Sequence, residues 1–86
     1  MNEIEKVIND IRAEHEFAIT HFPPFYSPHE GYAIILEEVR ELEQEVFKHQ
    51  KVRDVTKMRK EALQVATMAI RFIVDLCDDS QEKESN

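Results

Sequence analysis

The stretch MRKEALQVATMAIRFIVDL, residues 58–76, decides the fold of this 86-residue chain. Apolar side chains cover most of the circumference that this stretch would have as a helix. Its polar exceptions are three or four positions apart: Gln64, Thr67, Arg71 and Asp75. At about 100° per residue, this spacing places them on one narrow line. Because a helix that is apolar nearly all round is buried nearly all round, the pattern from Met58 to Leu76 predicts a helix that other helices surround.

A second helix is predicted immediately upstream, from Ser27 to about His49. Ser27 supplies a capping oxygen, Pro28 occupies the first helical position, where its missing N–H has no cost, and Glu30 completes a capping box. An apolar stripe at helical spacing follows. Its members are Ile35, Leu36, Val39, Leu42 and Val46.

The first helix is predicted from Asn2, which forms a capping box with Glu5, to the Pro23-Pro24 pair. Proline has no N–H to donate and restricts the residue before it, so the pair ends the helix. Residues 50–56 are polar and lack periodicity, and Asp54 or Thr56 is the expected cap of the third helix. The fold class that follows is all-α, with three helices.

Length and composition favour a single domain, which we place at residues 1–77, followed by a disordered acidic tail at residues 78–86. Two partner helices of this length cannot cover the apolar third helix. We therefore expect homo-oligomerisation to complete a four-helix-type bundle.

Net charge, the length of apolar runs and cysteine content argue against several classes of protein. The net charge is −7, which argues against nucleic-acid binding, since phosphates require a basic surface. No apolar run is long enough to cross a bilayer, so no membrane association is expected. The single cysteine, Cys77, cannot form an internal disulfide, which favours a reduced cytoplasmic location.

Acidic side chains are concentrated on the second helix. Residues 28–50 hold six acids and two bases, whereas residues 51–60 hold five bases and one acid. Glu38 and Glu41 are three positions apart and can point at a common site, where they repel each other unless a cation lies between them. Hard oxygen ligands suit Mg²⁺ or Mn²⁺. The alternative is that these acids form only a solvated helix face, since charge runs usually lie on the surface.

The third helix supplies a second pair of polar side chains that could face the glutamates of the second helix. Glu61 opens its mostly apolar part and Gln64 follows three positions later. If the two helices pack antiparallel, as their short connection suggests, Glu61 and Gln64 face Glu38 and Glu41 across the bundle. Helical bundles build internal metal sites from facing carboxylates in this way.

The segments GYAIILEEVREL, residues 31–42, and KEALQVATMA, residues 60–69, resemble the MazG-like all-α nucleoside triphosphate pyrophosphohydrolases. The resemblance spans about residues 28–76. It implies a signature that consists of Glu-x-x-Glu, a spacer and Glu-x-x-Asp. In that family the four acidic side chains hold Mg²⁺ at a site between helices. It also implies hydrolysis of an NTP or dNTP to the monophosphate and pyrophosphate, by a homodimer or homotetramer.

Carried over position by position, the resemblance assigns metal ligation to Glu38, Glu41 and Glu61, and the fourth match is Gln64 where the family has aspartate. A glutamine amide oxygen can coordinate Mg²⁺ but brings no negative charge. The chain is therefore either an active enzyme that binds metal through three glutamates or a degenerate relative. The degenerate form would be a catalytically inactive helical oligomerisation or protein-interaction module.

The charges suggest roles for four further residues. Glu37 or Glu45 would orient or deprotonate the attacking water. Lys57 and Lys60 would bind the phosphates of the nucleoside triphosphate, since they continue the polar line of Gln64. The alternative for these lysines is a solvated basic linker that balances an acidic helix.

Overall fold

The computed structural model describes residues 2–78, and this part of the chain is helical with no strand. Helix α1 spans Glu3–His21, α2 spans Pro28–Val46 and α3 spans Val55–Phe72. A π-helical segment, Ile73–Asp78, continues directly from α3. The prediction of an all-α chain with three helices is confirmed. None of the helices in this range combines the length and apolar character that a bilayer crossing requires.

The helix starts follow the local signals in the sequence. The side chain of Asn2 caps α1, and the carboxylate of Asp54 caps α3 by accepting backbone N–H groups of its first turn. At α2, Ser27 Oγ accepts the N–H of Glu30 at 3.1 Å. Glu30 Oε1 in turn accepts the backbone N–H of Tyr26 at 2.8 Å, so the Glu30 side chain fixes the residue that precedes the cap.

The helix ends lie close to the predicted ones. Helix α2 ends at Val46, the last residue of its apolar stripe, which is within a few residues of the predicted end near His49. Helix α3 ends at Phe72, and the predicted remainder to Leu76 lies in the π-helical segment. That segment also contains Asp78, which the sequence had placed in a disordered tail. Residues 79–86 of the predicted tail lie outside the described residues.

Helix α3 is the central element and packs against both α1 and α2. Its two most buried side chains are polar, with Thr67 at 0% and Arg71 at 3% exposure. The polar line of α3 therefore faces the other helices, while Ile70 and Ile73 remain partly exposed. Two helices cover only one side of α3 in the single chain, as its apolar circumference led us to expect, and burial of the other side by a second copy stays a prediction. Thr67 satisfies its hydroxyl locally by donating to Leu63 O at 2.8 Å.

Helix α2 meets the end of α3 closely at Gly31, which is buried. A Cβ at this position would lie 2.7 Å from Phe72 Cδ2, 3.0 Å from Phe25 Cδ2 and 3.1 Å from Leu76 Cδ1. The absence of a side chain lets the first turn of α2 approach these groups. Because residue 31 of α2 meets residues 72 and 76, the two helices run antiparallel, as the short connection predicted.

The single chain has an open shape with little core. Its radius of gyration is 14.9 Å, whereas a compact domain of this length has a value of about 12 Å. Among residues 2–78, the buried apolar side chains are Ala18 and Phe25. Large apolar side chains with at least half of their surface exposed occur on all three helices or their connections: Ile4, Phe17, Ile19, Phe22, Tyr26, Tyr32, Phe47, Val52 and Val55.

Candidate metal site

Three glutamates meet between α2 and α3. Glu38 and Glu41 lie one turn apart on α2, and Glu61 lies in the second turn of α3. One carboxylate oxygen from each of the three lies within 4.8 Å of the others. The antiparallel packing places the middle of α2 beside the beginning of α3, so the facing pairs expected from sequence come together at these three positions.

The pKa of the Glu38 carboxyl group shows that ionisation is unfavourable in this arrangement. Partial burial raises its pKa from 4.5 to about 7, with further contributions from the negative charges of Glu41 and Glu61. The pKa of Glu61 is raised as well, through loss of solvent and the neighbouring Glu41. Glu38 and Glu61 thus resist ionisation because they are partly withdrawn from solvent and because neighbouring carboxylates are close. A divalent cation between them would remove this repulsion.

Gln64 is held by a residue from the first helix. Its Nε2 donates to Oε2 of Glu14 at 2.9 Å, which joins α3 to α1. Gln64 also lines a cavity of about 340 Å³ together with Glu38. Gln64 and Glu38 therefore share one cavity, while the contact made by the Gln64 amide is with Glu14. The sequence analysis assigned no role to Glu14, which lies about 50 positions away in the chain.

The cavity beside Glu38 has an apolar wall and a few polar groups. Its apolar lining is Phe22, Pro23, Phe25, Ile34 and Met68, and its polar lining is Glu30, Glu38, Gln64 and Arg71. Arg71 connects the wall to α3 by donating to Phe22 O at 2.8 Å and to Pro23 O at 2.6 Å. Sequence reasoning missed this role. The available signal was an Arg-Asp pair four positions apart in an otherwise apolar helix.

The two predicted water-activating residues lie on either side of the cluster. Glu45 is near enough to Glu61 to help raise its pKa, and its carboxylate pairs with Lys48 Nζ at 2.9 and 3.0 Å. Glu37 is exposed, and its charge adds only the smallest contribution to the raised pKa of Glu38. Glu45 therefore has the more fixed position of the two.

The two predicted phosphate-binding lysines are exposed in the first two turns of α3. The positive charge of Lys60, the chain neighbour of Glu61, opposes the rise in the pKa of Glu61. Lys57 lies nearly one turn earlier and donates its backbone N–H to Asp54. Lys60 is thus the lysine whose charge acts on the glutamates, whereas Lys57 is nearer the start of the helix.

The donor set fits a hard divalent cation. Carboxylate oxygens are ligands that Mg²⁺ and Mn²⁺ prefer, and a cation would offset the carboxylate repulsion that contributes to the raised pKa of Glu38. Comparison with known proteins adds no assignment. No family model, curated protein or solved structure matches this chain.

Proposed function

We propose that this chain is a Mg²⁺-dependent nucleoside triphosphate pyrophosphohydrolase that converts an NTP or dNTP to the monophosphate and pyrophosphate. The observation that carries the proposal is the convergence of Glu38, Glu41 and Glu61 within 4.8 Å. These are three of the four positions at which the sequence resembles the MazG-like signature. Mn²⁺ has the same ligand preference and is expected to substitute.

Four residues would hold the metal: Glu38, Glu41 and Glu61 through carboxylate oxygens, and Gln64 through its amide oxygen. When bound, Mg²⁺ supplies positive charge to the phosphate oxygens during transfer. The cluster is suited to this ligand because its charges are crowded in the absence of a counterion, as the raised pKa of Glu38 indicates.

The attacking water requires a carboxylate outside the metal ligands. Glu45 and Glu37 flank the cluster, and Glu45 is held in place by Lys48. In this scheme the carboxylate orients the water and takes its proton as the water adds across the α–β phosphoanhydride bond. The products are then the nucleoside monophosphate and pyrophosphate.

The substrate needs cations for its phosphates and an apolar surface for its nucleoside. Lys60 lies beside Glu61, and Lys57 precedes it on the same helix, so both can reach a phosphate chain that starts at the cluster. The cavity beside Glu38 is walled by aromatic and aliphatic side chains, which suits a nucleobase and its sugar.

A homo-oligomer is the second part of the proposal. A second copy, in a homodimer or homotetramer, would complete a four-helix-type bundle by covering the exposed apolar side of α3. In support, a groove of about 370 Å³ lined by Ile8, Ile11 and Ile70 runs between α1 and α3. A covering chain would bury these isoleucines.

The same apolar surfaces favour an alternative function. The chain would then be a catalytically inactive MazG-like module that only oligomerises or binds another protein. Oligomeric state does not separate this alternative from the enzyme, because both predict association. Metal binding and product formation do separate them.

The deciding experiment incubates the purified protein with each NTP and dNTP in the presence of Mg²⁺ and identifies the products by anion-exchange chromatography. The enzyme is expected to yield monophosphate and pyrophosphate, and Glu61→Gln is expected to abolish both. Release of orthophosphate and the nucleoside diphosphate would contradict the proposed reaction. Absence of turnover with every nucleotide, with no stabilisation by Mg²⁺ or Mn²⁺, would favour the interaction module.

A further inference from the structure

Gln64 is the one neutral residue among the four proposed metal ligands, and its amide has two chemically different ends. The oxygen Oε1 can coordinate a cation, whereas the Nε2 amino group can only donate hydrogen bonds. An amide that turns its nitrogen toward the glutamates would oppose metal binding. Something must therefore fix the orientation of this side chain if it is to serve as a ligand.

Glu14 provides that constraint. Its Oε2 accepts the hydrogen bond from Gln64 Nε2 at 2.9 Å, and both side chains are partly buried. An ionised carboxylate accepts but does not donate, so only the nitrogen end of the amide can face it. The oxygen end is consequently turned away from Glu14, and Gln64 lines a cavity together with Glu38.

Glu14 also changes the charge balance near the cluster. The carboxylate polarises the amide to which it is bonded, which makes the amide oxygen more negative. Metal sites commonly use such outer partners to orient the inner ligands and raise their basicity. A glutamine from α3 and a glutamate from α1 would together do what one aspartate does by itself.

We propose that Glu14 is a positioning residue of the metal site, which directs Gln64 Oε1 toward the cation and restores the negative charge that glutamine lacks. This inference rests on the metal site of the proposed function. It assigns α1 a part in a site whose proposed ligands all lie on α2 and α3. It also means that Gln64 is compatible with metal binding and need not indicate a degenerate site.

The test measures Mn²⁺ affinity of the full chain by the electron paramagnetic resonance signal of free Mn²⁺. The variant Glu14→Gln keeps a hydrogen-bond acceptor but lets the facing amide turn over, and about a 10-fold weaker affinity is expected. The matched control is Glu16→Gln, which removes the same charge from an exposed position of α1. This control is expected to retain the affinity of the unmodified chain. Circular dichroism checks that each variant is folded.

A second pair of variants separates positioning from a general effect of charge. In the Gln64→Asp background the ligand no longer needs orienting, and its carboxylate faces that of Glu14. Glu14→Gln is then expected to leave Mn²⁺ affinity unchanged or to raise it. An equal loss of affinity in both backgrounds would overturn the positioning role, as would no loss in either one. Failure of the unmodified chain to bind Mn²⁺ would overturn the proposed metal site itself, which distinguishes the two failures.

Discussion

Arg71 and Asp75 form an ion pair that joins the end of α3 to the connection between α1 and α2. Arg71 Nε donates to Asp75 Oδ2 at 3.2 Å, and the same oxygen accepts the backbone N–H of Phe25 at 3.1 Å. The side chains of the pair are only 3% and 10% exposed. The guanidinium also lies 5.2 Å from the centre of the Phe25 ring, within the range of a cation–π contact. One buried pair thus fixes the connection that forms a wall of the cavity.

The first prediction concerns the stability that this pair provides. Arg71→Ala leaves the Asp75 carboxylate without its cation and two backbone carbonyls without their donor. Removing one partner of a buried pair typically costs about 3–5 kcal/mol, and we expect a loss of that order in the free energy of unfolding. Urea denaturation followed by circular dichroism measures it.

The control for this prediction is the exposed ion pair between Arg59 and Asp10, whose side chains are 51% and 48% exposed. Exposed pairs contribute about 0–1 kcal/mol, so Arg59→Ala is expected to change the unfolding free energy by less than about 1 kcal/mol. Equal losses of unfolding free energy in Arg71→Ala and Arg59→Ala would show that the buried pair contributes no more stability than the exposed pair.

The second prediction concerns stabilisation by metal. Mg²⁺ or Mn²⁺ is expected to raise the melting temperature, because a ligand that binds only the folded chain stabilises it. Glu38→Gln is expected to abolish this rise, since it removes a ligand and part of the cluster's charge. Differential scanning fluorimetry with and without the ion measures the effect. Glu43→Gln, an exposed change on the same helix, should leave the rise intact; a loss there too would indicate nonspecific binding.

The third prediction concerns pH in the absence of divalent ions. The pKa of Glu38 is raised from 4.5 to about 7, so between these values the folded chain binds more protons at this group than the unfolded chain does. Stability linked to Glu38 is therefore present at acid pH and is lost as the pH rises through about 7. The measurement is the melting temperature from pH 4.5 to 8. Its decline should be weaker in Glu38→Gln, and an identical decline would assign the effect to other groups.

The fourth prediction concerns the close approach at Gly31. In a helix interior, alanine is normally more stable than glycine by about 0.5–1 kcal/mol. Here the added Cβ would lie 2.7 Å from Phe72 Cδ2, and overpacking of this kind costs about 1–3 kcal/mol. Gly31→Ala is therefore expected to lower the melting temperature.

A double-mutant cycle isolates the contact behind this prediction. In the Phe72→Ala background the nearest obstacle to the new Cβ is removed. The same Gly31→Ala change is then expected to be less harmful than in the unmodified chain. An equal loss in both backgrounds would place the strain at Phe25 or Leu76 instead.

Local signals in the sequence determined where the helices begin. A cap such as Ser27 or Asp54 and the Pro23-Pro24 stop act within one helical turn, so they depend little on the rest of the molecule. Helix geometry likewise placed Glu38 and Glu41 on one side of α2, whatever α2 packs against. The metal, substrate and oligomer remain proposals that local geometry alone does not test.

Only the tertiary structure decided which side of α3 faces inward and what its polar residues contact. The bonds of Gln64 to Glu14 and of Arg71 to Phe22 O join residues about 50 positions apart, and Glu61 reaches Glu38 only across the interface between α2 and α3. Such contacts depend on how the packed helices are rotated and shifted relative to each other. A given apolar stripe is compatible with several such arrangements. The sequence by itself therefore determined the helices and one acidic pair, whereas packing decided which distant side chains complete the site.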